Sequence, residues 1–214
     1  MVVAIIPILN PNEKFNNFLI EVKKNIKNII VIDDGSIHPV SIDLKNVRVI
    51  RNKVNRGKGY SLRKAFEYAM EKNFSSAITI DGDGQHEPRN IKQFLLFDNN
   101  IDIVIGKREF KYPMPLHRRF SNTITSFILS VRTSRKILDS QCGYRKYNLL
   151  SVDNYNYHEK GFHFESEVLI KILSNGGILD HTPVSTIYNN SKSYINNFSD
   201  TIKFISLLIK SLFW

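Results

Sequence analysis

Thr79-Ile80-Asp81-Gly82-Asp83-Gly84-Gln85-His86-Glu87-Pro88 sets two carboxylates and an amide on a turn after the apolar run Ala77-Ile78-Thr79-Ile80. The run reads as a short strand, and the glycines that follow it break regular structure. Asp81 and Asp83 can turn toward one point, where the side-chain oxygen of Gln85 can join them around a hard divalent cation. Oxygen ligands with room left for water and a phosphate suit Mg²⁺ or Mn²⁺. The plain alternative is an Asp/Gly turn that caps the next helix and binds nothing. Its place at the C-terminal end of a strand favours the first reading, because ligands bind there in open α/β sheets.

Outward from this turn, Val2 to Ile8, Ile29 to Ile32, Val47 to Ile50 and Ile101 to Ile105 are further short β-branched runs. Leu62, Ala65, Phe66, Ala69 and Met70 fall on one helical face, as do Phe15, Phe18, Leu19 and Val22 in a shorter stretch. Strands alternating with helices predict an α/β chain with a mostly parallel sheet, and their near-continuous apolar character predicts burial on both faces. After about Lys107 the pattern changes: Pro113 and Pro115 lie in a basic loop, followed by an amphipathic stretch bearing Phe120, Ile124, Phe127, Ile128 and Val131.

At 214 residues, with 42% apolar and 23% charged residues, the chain is long enough for one substantial globular domain. The single cysteine, Cys142, excludes an intramolecular disulfide framework and fits a reducing compartment. Met1 to Leu9 lacks a basic start and is interrupted by Pro7, so it reads as a first strand rather than a signal peptide. No run of 18 or more apolar residues predicts a membrane span. The net charge of +10 and pI of about 9.6 favour an anionic partner. Nucleic acid is not expected, since the basic residues are interleaved with acidic turns and no reading motif is present.

Ile29-Ile30-Val31-Ile32-Asp33-Asp34-Gly35-Ser36 is a second strand ending in carboxylates. Such an aspartate can accept from the N–H groups of a uracil or guanine ring, or can simply cap the turn. Asn55-Arg56-Gly57-Lys58-Gly59-Tyr60-Ser61 resembles a phosphate-binding turn at a helix N-terminus but is not a P-loop. Arg108, after the strand ending at Ile105, is a candidate for bidentate phosphate binding.

In order along the chain stand Ile6-Pro7 with Asn10, Val31 to Ser36, Asn55 to Gly59, Asp81 to His86, Gly106-Lys107-Arg108 and Asp139-Ser140-Gln141-Cys142-Gly143-Tyr144-Arg145. This succession resembles the family 2 glycosyltransferases, and most closely the dolichyl- or polyprenyl-phosphate sugar transferases. The resemblance implies a GT-A fold, a GDP- or UDP-sugar donor, Mg²⁺ or Mn²⁺ and inversion at the anomeric carbon. The expected acceptor is a polyprenyl-phosphate-type lipid; the alternatives are a sugar hydroxyl of a cell-surface polysaccharide or glycolipid and, more distantly, a nucleotide-sugar-binding protein without turnover. It implies that Asp34 binds the base, with Pro7 and Ile32 lining its pocket, and that Asp81, Gly82, Asp83 and Gln85 form the metal and donor turn. Lys58, Arg108 and Lys192 would face the donor, the last in a segment whose register is shared between Ser191-Lys192 and Ser193-Tyr194. Asp139 and Glu167 are the candidate catalytic carboxylates, with structural roles as their alternatives.

From Ile202 to Trp214 nine of thirteen residues are apolar, while Ser199, Lys203, Ser206 and Lys210 recur as a polar stripe. Such a helix suits an interfacial depth, or packing against the sheet or a second copy. The expected organisation is therefore a Rossmann-like GT-A domain over 1–196 and a C-terminal amphipathic helix over 197–214. The expected location is the cytoplasmic side of a membrane, peripherally attached to its inner face; the oligomeric state is left open.

Overall fold

A computed structural model describes residues 1–111, 114–187 and 197–214, the side chains of 197–199 excepted. Pro113 and the segment of Ser191, Lys192, Ser193 and Tyr194 lie outside the described residues, as does the side chain of Ser199. The strands are β1 (Val2–Ile8), β2 (Ile29–Asp33), β3 (Val47–Arg51), β4 (Ser76–Thr79), β5 (Ile103–Lys107), β6 (Arg145–Asn148) and β7 (Leu179–Pro183). The helices are α1 (Phe15–Asn25), α2 (Lys58–Glu71), α3 (Ile91–Leu95), α4 (Leu116–Thr133), α5 (Leu149–Asp153), α6 (Phe164–Ser174) and α7 (Asn197–Ser211).

The strands form one sheet in the order β3-β2-β1-β4-β6-β5-β7. All neighbours pair in parallel except around β6, which runs antiparallel to both β4 and β5. Every residue of β2 and most of β1 are buried, as continuous apolar runs require, whereas the edge strand β3 is partly open. The α2 face of Leu62, Ala65, Phe66 and Ala69 is buried, and α1 buries Phe15, Leu19 and Val22. These side chains share one hydrophobic core with the strands.

The chain beyond Lys107 folds back into the same sheet. β6 enters it with a charged sequence: Arg145 and Lys146 are both buried, their cations held by backbone carbonyls. In α4 the buried positions are Asn122, Ser126, Leu129 and Thr133, while Leu116, Phe120, Ile124, Phe127 and Val131 are exposed. This helix turns small polar groups inward and its large apolar stripe outward; of the stripe expected from sequence, only Ile128 packs toward the core. α7 docks on the domain through Phe204 and Leu207, each contributing about 1.5–3 kcal/mol by burial. Its other side leaves Ile202, Ile205 and Ile209 open, as are Leu212 and Phe213 just beyond its end. Arg132 of α4 ties the helix ends together, donating to Ser174 of α6 and to Ser211 of α7. No helix among the described residues is long and apolar enough to cross a membrane.

Candidate active site

The sheet continues from β1 to β2 on one side and to β4 on the other, which opens a crevice at the carboxyl ends of these strands. Asp34 follows β2, Asp81 follows β4, Arg108 follows β5, and Lys58 opens α2 just after β3. Four chemically active positions, remote in sequence, thus come from one edge of the sheet.

Asp34 is a turn organiser. Its Oδ1 accepts from Asn52 Nδ2 at 2.8 Å and from the Arg56 amide at 3.0 Å, and its Oδ2 accepts from the Gly57 amide at 2.8 Å. The carboxylate is buried and fixes the backbone that delivers Lys58. Its neighbour Asp33, also buried, pairs with Arg51 at 2.6 Å and accepts from the Ser36 amide at 2.8 Å. Although desolvation opposes its charge, these partners hold the Asp33 carboxyl below its ordinary value.

Lys58 is the hub of the crevice. Its Nζ lies 2.7 Å from Asp81 Oδ1 and 2.9 Å from Glu165 Oε2, a carboxylate at the start of α6. Desolvation disfavours both charges, yet the pairing raises the lysine's pKa and lowers that of Asp81. A side chain at position 143 would crowd this contact. A Cβ on Gly143 would sit 2.5 Å from Asp81 Oδ2 and 2.8 Å from Lys58 Nζ, closer than atoms tolerate. Gly82 is equally confined, since a Cβ there would meet Ile8 Cγ2 at 2.6 Å.

Asp83, on the rim, accepts from the Gln85 amide at 2.9 Å. Desolvation and then the charge of Asp81 push its carboxyl above the ordinary value. A lysine shared with Glu165 leaves this pair of carboxylates short of positive charge, so an all-oxygen donor set of Asp81 and Asp83 fits a hard divalent cation. Among the described residues no three His, Cys, Asp or Glu side chains gather to hold a metal by themselves. A cation here would need further oxygens from Gln85, water or a ligand.

Across the crevice Arg108 grips Asp139 with two bonds, Nε to Oδ2 at 2.7 Å and Nη2 to Oδ1 at 2.8 Å, while its own amide reaches Oδ2 at 3.2 Å. Asp139 has no exposed surface, and both of its oxygens accept from Arg108. The loop carrying it is stapled from below by Arg145, which donates to the carbonyls of Ser140, Cys142 and Glu165. It is backed by the inner face of α4, where Ser126 bonds to Ser140 and Ser130 to Ile137.

The other expected residues are placed as follows. Glu167 is wholly buried and turned away from Lys58; it accepts from the amides of His158 and Glu159 and pairs with Lys171 at 3.0 Å. Ile32 is wholly buried in the core, so only its cross-strand neighbour Pro7 presents surface. Two buried groups near the cluster were not singled out from the sequence. Glu165 and Glu167 lie two apart on a helix, about 200° around its axis, so only one can face the crevice. The other group is His86, whose ring packs 5.1 Å from that of Tyr144 and whose Nδ1 has no hydrogen-bond partner. Burial lowers its pKa to about 4, which keeps it neutral near pH 7.

A family model described as glycosyl transferase family 2 matches residues 3–162. An uncharacterized protein of Methanocaldococcus jannaschii is 30% identical over 96% of this chain and 99% of its own. A UDP-N-acetylglucosamine–dolichyl-phosphate N-acetylglucosaminyltransferase of Methanococcus voltae is 28% identical over 88% of this chain and 86% of its own. Among solved structures, glucosyl-3-phosphoglycerate synthase from Mycobacterium tuberculosis, in complex with UDP, superimposes with a TM-score of 0.74 at 14% identity. That likeness covers 99% of this chain and 79% of the other, and the same enzyme has been solved with Mn²⁺ and UDP-glucose.

Proposed function

Because the chain belongs to glycosyl transferase family 2 and has its mostly parallel GT-A sheet, we propose that it moves a sugar from a GDP- or UDP-sugar to a polyprenyl-phosphate-type lipid. The transfer inverts the anomeric carbon and takes place at the inner face of a membrane, to which the protein attaches peripherally. The dolichyl-phosphate substrate named for the Methanococcus voltae relative supports this acceptor class.

One observation carries the acceptor. Both candidate bases are already committed, Asp139 to Arg108 and Glu167 to backbone amides and Lys171. A sugar hydroxyl needs a base to take its proton, whereas a phosphate monoester is ionised near neutral pH, with a second pKa of about 6. The outward apolar stripe of α4, with Arg118, Arg119, Arg135 and Lys136 near its ends, offers the matching surface for a lipid and anionic headgroups.

In this reading the acceptor oxygen attacks the anomeric carbon as the bond to the diphosphate breaks on the opposite face. The electron pair of that bond leaves on the nucleoside diphosphate. Asp81 and Asp83, with Gln85, would hold Mg²⁺ or Mn²⁺, which when bound supplies Lewis-acid stabilisation of the leaving diphosphate. Arg108, its fork oriented by Asp139, adds positive charge beside the diphosphate, and Asp34 sets the turn that presents Lys58 to the donor. Lys192 belongs to the donor side by its motif alone.

The test is incorporation of labelled sugar from GDP- and UDP-sugars into polyprenyl phosphate. The expected product is organic-soluble, labile to mild acid, dependent on Mn²⁺ and lost in Asp83→Ala. A product retained in the aqueous phase with a hydroxyl acceptor would overturn the lipid-phosphate assignment.

A further inference from the structure

Lys58 touches two carboxylates of unequal standing. Asp81 stands beside Asp83 in the proposed cation turn, whereas Glu165 comes from α6, its Oε2 on Lys58 and its Oε1, buried, without a hydrogen-bond partner. Arg145 does not satisfy that second oxygen: its Nε is 4.0 Å away and its donors are bonded to backbone carbonyls. A glutamate with half of its carboxylate unused can accept more from the same lysine. The absence of a side chain at Gly143 leaves room for Lys58 and Asp81 to meet.

We propose that Lys58 is the resident counter-ion of Asp81, releasing this carboxylate to a divalent cation by moving its ammonium onto Glu165. Glu165 is thereby a positioning residue that sets how tightly the turn binds its metal. The proposal rests on the reading of Asp81 and Asp83 as cation ligands. It predicts opposite effects from two residues that touch each other. Removing the lysine relieves a competitor, so the metal binds more tightly. Removing the charge of Glu165 leaves the lysine only Asp81, so the metal binds more weakly.

The experiment is titration of the full chain with Mn²⁺ alone, without nucleotide, following free ion by electron paramagnetic resonance. Lys58→Met should tighten binding about tenfold, the factor that about 1.4 kcal/mol represents, and Glu165→Gln should weaken it by a similar factor. In Lys58→Met the second substitution should lose most of its effect, because its action passes through the lysine. A general field effect would instead leave the Glu165→Gln penalty unchanged in both backgrounds, and that additivity, or weaker binding in Lys58→Met, would overturn the proposal. Thermal melts identify a misfolded variant, for which Lys58→Gln and Glu165→Ala replace it in the same cycle. If the unsubstituted chain binds no Mn²⁺, or binds it equally in Asp83→Ala, the cation reading fails before the lysine is reached.

Discussion

Asp139, expected from its motif as a candidate catalytic carboxylate, is held by Arg108 instead of standing open to the crevice. Its carboxylate is fully enclosed and its oxygens are spent on Arg108. Asp139→Ala should therefore lower stability by about 3 kcal/mol, because it strands a largely buried guanidinium. Chemical denaturation checks this, and a catalytic base would give the other pattern, lost transfer with unchanged stability. A second residue-level outcome concerns His181, whose Nε2 accepts from the Leu138 amide at 3.1 Å. Burial is the first cause of its lowered pKa, so the unfolded chain binds this proton more readily than the folded one. Folding stability should then fall as pH drops below about 6.5. His86 and His163 are shifted the same way, so denaturation midpoints between pH 7 and 5 should flatten only in part in His181→Gln. At this scale the carboxylate turn was readable because Asp81, Gly82 and Asp83 are contiguous, with the strand before them marking their place. The choice between Glu165 and Glu167 was not, because helical rotation separates them and nothing local fixes which side faces the crevice.

At the scale of elements, β1 to β5, α1 and α2 were legible from periodicity, the strand ends shifting by up to two residues while α2 begins at Lys58, four residues before Leu62, and α1 runs on to Asn25. β6 was hidden because its buried Arg145 and Lys146 satisfy their charges on backbone carbonyls, some near in sequence and some far, which no hydrophobic pattern records. β7, Leu-Asp-His-Thr-Pro at the sheet edge, carries no alternation to betray it. For α4 the apolar stripe was visible, but periodicity cannot say which side of an amphipathic helix points inward; Ser126 and Ser130, bonded to the loop behind them, decide it. Phe120 and Phe127 are 70% and 67% exposed. Replacing both with serine should leave stability within about 0.5 kcal/mol per site. The same pair should weaken sedimentation with anionic, phosphatidylglycerol-containing liposomes at least about tenfold, since each ring represents about 1.5–3 kcal/mol of transfer. Unchanged sedimentation would remove α4 from the membrane contact.

Across the whole molecule, order along the chain and order in the sheet differ, and the site exists because of that difference. Asp34, Lys58, Asp81 and Arg108 become neighbours only when the chain moves outward from β1 to β2 and β3 and returns through β4 on its other flank. The mostly parallel architecture was legible from alternation, whereas the antiparallel re-entry of β6 is set by long-range pairing with β4 and β5 that no local pattern marks. That re-entry has a practical meaning. β5 and β6 lie side by side, Ile105 facing Arg145, and Gly106 bonds to the Tyr144 carbonyl at 2.8 Å. Everything between them, α4 included, is an excursion with a narrow neck, and the Arg108–Asp139 fork clasps it just outside that neck. A stretch leaving and rejoining at one point can change length between Arg108 and Asp139 without shifting strand register, so α4 can be exchanged like a cassette over an unaltered sheet.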